Sequence, residues 1–230
     1  MHLSMIVPCY NGQKMLDFQV AYWKTLENRK DIEFIVIDDG SFPEIKFDGT
    51  GLNAIFARIL VDIPWNIAGA RNLGAKLASA PWLLFADLDR TIPEETLKFC
   101  LDIAQENNAN KYHLFAQKLN GEIIPKKPVG THLVSAEKYW IADGNDEDFS
   151  GTYGYQAQHF LKKLKFLGVE KVKNNNVFIT NYESYEDASC SLPKDLSRNA
   201  RIYIDKVQTK KIILGEKIRF PWREEGRWTV

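Results

Sequence analysis

Phe34-Ile35-Val36-Ile37-Asp38-Asp39-Gly40-Ser41 sets four apolar residues against two carboxylates and a turn-forming glycine. A run that is apolar at every position, not at alternate ones, suits a strand buried on both faces, as in a parallel sheet covered by helices. It stops abruptly, so the two carboxylates fall in a loop at the strand's carboxyl end. Residues 3–7 repeat the pattern one unit earlier and are stopped by Pro8-Cys9-Tyr10-Asn11. Between the two, residues 14–28 carry Leu16, Val20, Trp23 and Leu26 at spacings of three and four, an apolar stripe with which a helix can cover the sheet. Strand, helix, strand in this order predicts parallel winding.

The pattern continues downstream. Residues 55–61 read as a strand, 69–78 as an alanine-rich helix and 82–86 as a strand that runs into Asp87-Leu88-Asp89. Pro93 opens a helix to residue 104, with Glu94 and Glu95 in the first turn where the helix dipole favours negative charge, and the asparagine-rich residues 107–110 end it. Beyond this the signal weakens to a strand-like stretch at 112–115, a turn at Asn120-Gly121, a loop over 125–130 and a helix over 156–167. No repeat or linker interrupts the chain, and we expect one domain over residues 1–230.

At 230 residues the chain is long enough to bury a core without disulfides or a structural metal. Thirty basic residues balance thirty acidic ones, so no global field attracts nucleic acid or an anionic membrane, and nucleic acid is not an expected partner. The composition is 45% hydrophobic, yet no run approaches the roughly 18 apolar residues of a membrane span. The N-terminus lacks a basic segment followed by a long apolar stretch, so no signal peptide is expected. Cys9, Cys100 and Cys190 are odd in number and far apart, which suits reduced thiols in the cytoplasm better than a disulfide or zinc framework.

Alternation in an extended segment would send Asp87 and Asp89 to the same side of a strand end. Two such oxygens suit Mg2+ or Mn2+, whose other ligands come from water and phosphate, although in most chains such a pair is a solvated loop. Asp38 and Asp39 can accept hydrogen bonds from a base N–H or ribose hydroxyls, but Asp-Gly is also plain turn chemistry. Tyr10 offers a flat face to a base, and Pro8 fixes the loop's entry. Trp65-Asn66-Ile67-Ala68-Gly69-Ala70-Arg71 puts a guanidinium in the first turns of a helix, suited to a phosphate or to capping its own surface. Order lifts these four segments above their bland readings, because each lies after or between consecutive strands of one parallel unit, where ligand loops gather.

These residues, in this order, resemble the family 2 glycosyltransferases and their galactosyltransferase-like relatives over most of the chain. The resemblance implies the GT-A fold, an α/β architecture in which a Rossmann-like, mixed but mainly parallel sheet is flanked by helices. It implies a metal-dependent, inverting transfer of a sugar from a nucleotide-sugar donor to a hydroxyl acceptor such as a glycan, with Mn2+ or Mg2+ as cofactor. A UDP-sugar is favoured, since an aspartate acceptor for an imide N–H plus an aromatic stack suits uracil. Residues 1–115 would form the nucleotide-binding half and residues 116–230 the acceptor-side half. Pro8, Tyr10, Asn11, Asp38 and above all Asp39 would hold base and ribose, and Asn66 would open the helix that brings Arg71 to the diphosphate. Asp87 and Asp89 would hold metal and phosphates, Asp89 as the direct ligand. A third metal ligand in this family is often a histidine, for which His132 and His159 are the candidates, whereas His113 lies in an apolar strand-like run.

Gly144-Asn145-Asp146-Glu147-Asp148-Phe149-Ser150-Gly151-Thr152-Tyr153-Gly154-Tyr155 resembles the family's acceptor-side segment, in which a Gly-x-Asp-Glu run precedes an acidic pair and a helix. Here the pair is Gln156-Ala157, and neither an amide nor a methyl group can take the acceptor's proton. Ala157 stands where the resemblance places the base, which is also what an inactivating substitution would leave. Asp146, Glu147 or Asp148 can serve instead; otherwise the chain binds donor and transfers poorly, or is a nucleotide-sugar or glycan-binding module without catalysis. Lys194, Arg198 and Lys206 can approach the diphosphate or form a solvated basic helix. A nucleotidyltransferase of the same fold neighbourhood would carry an N-terminal glycine-rich phosphate loop, and none is present.

Overall fold

In the computed structural model of the chain, which describes residues 1–106, 108–119, 121–124, 129–181, 192–209 and 217–230, the wholly apolar runs form the centre of one sheet. Strands β1 (Leu3–Cys9), β2 (Ile32–Asp38), β3 (Asn53–Ile59) and β4 (Trp82–Phe85) lie in the order β3-β2-β1-β4, every neighbouring pair parallel. All seven residues of β2 are buried, as the unbroken apolar run requires. The chain leaves β1 through helix α1 (Gln13–Thr25) to reach β2 on one side, then crosses through α2 (Ile67–Leu77) to place β4 on the other. This reversal beside β1 splays the loops apart and opens a crevice at the carboxyl ends of β1 and β4.

The rest of the sheet is mixed. After the two-residue β5 (Arg90–Thr91) and α3 (Glu94–Glu106) come β6 (Lys111–Leu119), β7 (Glu122–Ile124), β8 (His132–Ser135), α4 (Ala136–Ile141), α5 (Gln156–Phe166) and β9 (Glu170–Asn181). They extend the order beyond β4 as β8-β6-β9-β5, with β7 paired to β6. α6 (Ser197–Gln208) precedes β10 (Trp222–Trp228), which closes the opposite edge antiparallel to β3. The fold is GT-A, as the resemblance implied.

One core lies on each face. α1 and α3 bury Leu16, Trp23, Leu97 and Cys100 against Phe34 and Trp82, with the Trp23 and Phe34 rings stacked at 5.0 Å. α2, α4 and α5 bury Leu73, Tyr139 and Phe160 against Ile6, Ile35 and Phe85. Each fully buried large apolar side chain contributes about 1.5–3 kcal/mol, which holds these short helices in place. Burial pushes the Cys100 thiol well above its ordinary pKa, and Cys9 is buried too, so both thiols are sheltered from solvent. Cys190, the turn at Asn120 and residues 125–128 of the expected loop lie outside the described residues.

The strands β8, β9 and β10 carry little sequence signal. β8 is four residues long, β9 holds three consecutive asparagines at a register shift against β6, and β10 is the charged edge Trp-Arg-Glu-Glu-Gly-Arg-Trp. Helix α2 meets β1 closely at Gly74, where an added Cβ would lie 2.4 Å from Ile6 Cγ2. That methyl belongs to a β-branched side chain on a central strand and cannot swing aside. Gly74→Ala is therefore expected to lower stability by about 1–3 kcal/mol despite alanine's better helix propensity, seen as a lower urea midpoint at an unchanged m-value.

Candidate active site

A cleft of about 580 Å³ opens at the switch point. Pro8 and Cys9 at the end of β1, Tyr10 after it, Asp39 after β2 and residues 87–90 after β4 form its floor, with Trp65, Ile67 and Arg71 of the α2 segment beside them. Gln156, Ala157 and Gln158 in the first turn of α5, Tyr153, and Leu192 and Lys194 before α6 form the facing wall. Its size suits a small polar ligand.

Asp39 marks one end. Its carboxylate is 5% exposed and accepts a 3.0 Å hydrogen bond from Asn66 Nδ2, while Asn66 Oδ1 accepts one from Ser150 Oγ at 2.7 Å. Burial holds the Asp39 carboxyl well above its ordinary pKa; the Asn66 contact opposes this, and the nearby Asp38 and Asp62 charges add to it. Tyr10 lines the cleft and donates its hydroxyl to Asp62 at 3.0 Å. Asp38 is fully buried outside the cleft, accepting from the Ser41 and Ile45 amides and pairing with Arg58. Asn11 sews the first two loops together, its amide donating to Ser41 Oγ and its side chain accepting from the Phe42 amide. Of the residues expected to meet the nucleotide, Pro8, Tyr10, Asp39, Arg71 and Asp87 line the cleft, and Asn11, Asp38 and Asn66 brace its loops.

The acidic turn marks the other end. Asp87 Oδ1 pairs with Arg71 at 2.7 Å and Oδ2 with Arg90 at 3.0 Å. Burial pushes the Asp87 carboxyl up, but Arg90 and Arg71 together hold it below its ordinary value. Arg71 also donates to the Gly130 carbonyl, and a Cβ on Gly130 would strike the Asp87 carboxylate at 2.4 Å, so only glycine admits this approach. From α1 the buried Gln19 amide donates to the Leu88 and Arg90 carbonyls at 3.0 and 3.1 Å, fixing the turn from below. The Asp89 side chain is 47% exposed in the cleft, 3.8 Å from Arg90 Nε. Arg90 is a charged cleft residue that sequence reasoning missed, although it directly follows the Asp-x-Asp pair.

Among the described residues no three histidine, cysteine or carboxylate side chains converge as a metal site. A hard divalent ion that takes one carboxylate and completes its shell with phosphate and water oxygens fits Asp89, whereas both Asp87 oxygens are already paired. Neither candidate histidine lines the cleft. His132 is fully buried between the Phe85 and Phe160 rings, and burial together with Arg71 lowers its pKa to about 3. His159 lies between Phe149 and Tyr203, its pKa lowered to about 4 by burial and Lys163.

The match to known proteins agrees with this geometry. The family model described as glycosyl transferase family 2 matches residues 4–161. The chain belongs to this family. It is 35% identical over 95 residues to a validoxylamine A glucosyltransferase of Streptomyces hygroscopicus subsp. limoneus, covering 37% of this chain and 20% of that protein. An uncharacterized glycosyltransferase of Rickettsia felis is 27% identical over 217 residues, covering 93% of this chain and 33% of that protein. The chain thus spans a third or less of the length of these relatives. Among solved structures it is similar to S. aureus TarS residues 1–349 in complex with UDP-GlcNAc, with a TM-score of 0.71 at 18% identity over 88% of this chain and 64% of that one. The mannosyltransferase PcManGT from Pyrobaculum calidifontis, in complex with GDP-Man and Mn2+, gives 0.62 at 16% identity over 94% and 65%.

In this family 2 chain the acidic run after Gly144 does not line the cleft. Asp146 accepts from Lys206 at 2.6 Å and from its own turn at the Asp148 amide. Glu147, 4% exposed, accepts from Asn72 and from the Ile218 and Arg219 amides. Asp148 pairs with Lys206 and Arg219, which hold its carboxyl below the ordinary pKa against the effect of burial. Glu147, Asp148, Arg198 and Lys206 instead line a separate cavity of about 550 Å³. Of the three expected basic residues, Lys194 reaches the cleft. α6 holds the cleft wall by Asn199, whose amide nitrogen lies within 3.0 Å of the Phe149, Thr152 and Gly154 carbonyls. Trp65 Nε1, donating to the Pro193 carbonyl at 2.9 Å, pins the preceding segment across the cleft.

Ionising the buried Asp39 opposes folding. Because its folded pKa is raised, its neutral form contributes stability that is full below the unfolded value near 3.8 and is lost as the pH rises through the folded value. Asp39→Asn is therefore expected to raise the melting temperature at neutral pH, with the difference shrinking to nothing on acidification toward 3.8. Differential scanning fluorimetry across pH reads it directly.

Proposed function

We propose that this chain transfers a sugar from a UDP-sugar to a hydroxyl acceptor, with inversion at the anomeric carbon, as a single domain over residues 1–230. One observation supports this above the rest: in a family 2 chain, the loops after β1, β2 and β4 bring Tyr10, Asp39, Asp87 and Asp89 to one cleft. The Asp39 carboxylate, oriented by Asn66, accepts the imide N–H of uracil, and Tyr10 covers the ring. TarS was solved with UDP-GlcNAc and PcManGT with GDP-Man, so guanine is the competing base. Arg71 and Asp87 form a rigid charged floor beneath the diphosphate. Asp89 would hold Mn2+ or Mg2+, which would stabilise negative charge on the leaving nucleoside diphosphate.

The acceptor hydroxyl enters from the side of α5, opposite the leaving group, and its proton needs a base. Gln156, Ala157 and Gln158 occupy that wall, and none can accept it. The commitment of Asp146, Glu147 and Asp148 to Lys206 and Arg219 favours a second reading, a nucleotide-sugar-binding module that transfers poorly or not at all.

Titration calorimetry with UDP, followed by UDP release from a panel of UDP-sugars, separates the two. A transferase lacking only its base should gain about 10²–10⁴-fold in kcat from Ala157→Asp at unchanged UDP affinity. Binding with no turnover in either protein would leave the binding module, and absence of nucleotide binding would defeat both readings.

A further inference from the structure

We infer that Arg90 provides this cleft with a built-in cation for the donor's diphosphate, so that nucleotide binding does not require a divalent metal. The inference rests on the nucleotide-sugar reading above and concerns the charge balance of the acidic turn. Asp87 and Asp89 face two guanidiniums, Arg71 and Arg90, within 3.8 Å. Among these four side chains the formal charges cancel.

A turn that relies on a metal to reach phosphate must leave its carboxylates unneutralised until the ion arrives. Here Asp87 has an arginine on each oxygen. The other carboxylate of the turn, Asp89, lies 3.8 Å from Arg90 Nε, and an ion approaching it meets the fixed positive charge of that guanidinium. A diphosphate, in contrast, meets no net negative charge.

Both guanidiniums line the cleft, and Arg90 is the more exposed of the two. The Arg71 side chain is 1% exposed and Arg90's is 17%. Arg71 thus acts through Asp87, and direct contact falls to Arg90. It is well placed for this because its backbone is fixed on both sides: its carbonyl accepts from Gln19, and β5 pairs it with Asn181 of β9. Its Nη1 is steered by Asp87 and Thr131, and its Nε is buried, 3.8 Å from Asp89. A planar guanidinium oriented by a carboxylate on one edge can offer other N–H groups to phosphate oxygens, charge-assisted hydrogen bonds that are roughly twice as strong as neutral ones.

The test is titration of UDP and of uridine into the wild type and Arg90→Gln, each in EDTA and in manganese. In EDTA the wild type should bind UDP within about tenfold of its affinity in manganese, and Arg90→Gln should weaken that binding about ten- to a hundredfold. The variant's affinity should then depend steeply on manganese, while uridine, which lacks the diphosphate, binds both proteins alike. Arg90→Lys keeps the charge on Asp87 without the planar fork, so it guards against a folding defect and should fall between the two. Wild-type binding of UDP in manganese but not in EDTA overturns the inference and leaves the nucleotide reading intact. An unchanged EDTA affinity in folded Arg90→Gln and Arg90→Lys overturns it as well. A wild type that binds neither UDP nor uridine under either condition removes the inference together with the reading beneath it.

Discussion

The Asp87 carboxylate sits between Arg71 of α2 and Arg90 of β5, and the rest of the site is arranged around that pairing. Leaving one member of a buried ion pair without its partner costs about 3–5 kcal/mol, so the three side chains behave as a unit. Once β4 delivers Asp87 to the sheet's edge, Arg71 must meet it, and α2 is thereby drawn against β1 at the one spacing Gly74 allows. The same helix begins at Asn66, which holds Asp39 on the far side of the cleft. The two ends of the cleft are therefore coupled by one rigid helix of 11 residues, anchored at an ion pair.

The first half of the chain was legible in the sequence because it is built from local patterns. Apolar runs cut short by Pro8, Asp38 and Asp87 mark strands and their loops at once, and the stripe through Leu16, Trp23 and Leu26 marks the covering helix. Legibility fails where a side chain's partner is distant in the chain. Asp38 and Asp39 are neighbours with the same chemistry, yet Asp38 turns inward to Arg58 while Asp39 meets Asn66 and lines the cleft. Strand alternation assigns them to opposite sides, but which side opens to the cleft depends on loops 27 residues away. Arg90 was hidden for a similar reason, since its position is set by Gln19 and by pairing with β9, neither of which leaves a local trace.

The acidic run 146–148 shows the converse, a conspicuous pattern whose chemistry is largely consumed by packing. Three carboxylates in a row invite a catalytic reading, but Lys206, Arg219 and Asn72 converge on them from three separate parts of the chain. Acids neutralised in this way, of which Glu147 is the buried one, tie α2, α6 and the segment before β10 to one short turn. Their role in this geometry is to fix the loop that carries Tyr153 and Gln156, and a shortage of titratable groups remains at the wall of the cleft itself.

The Asn199 clasp bears on where the working unit ends. The family match stops at residue 161, within α5, yet the loop at residues 149–154 is held by an amide that arrives 45 to 50 residues later, and the exposed edge of β3 is covered by a strand later still. A fragment cut at the family boundary would retain every residue of the floor and lose the brace of its wall, with an unpaired apolar strand open to neighbouring molecules. The boundary drawn by family likeness is thus shorter than the one drawn by hydrogen bonds.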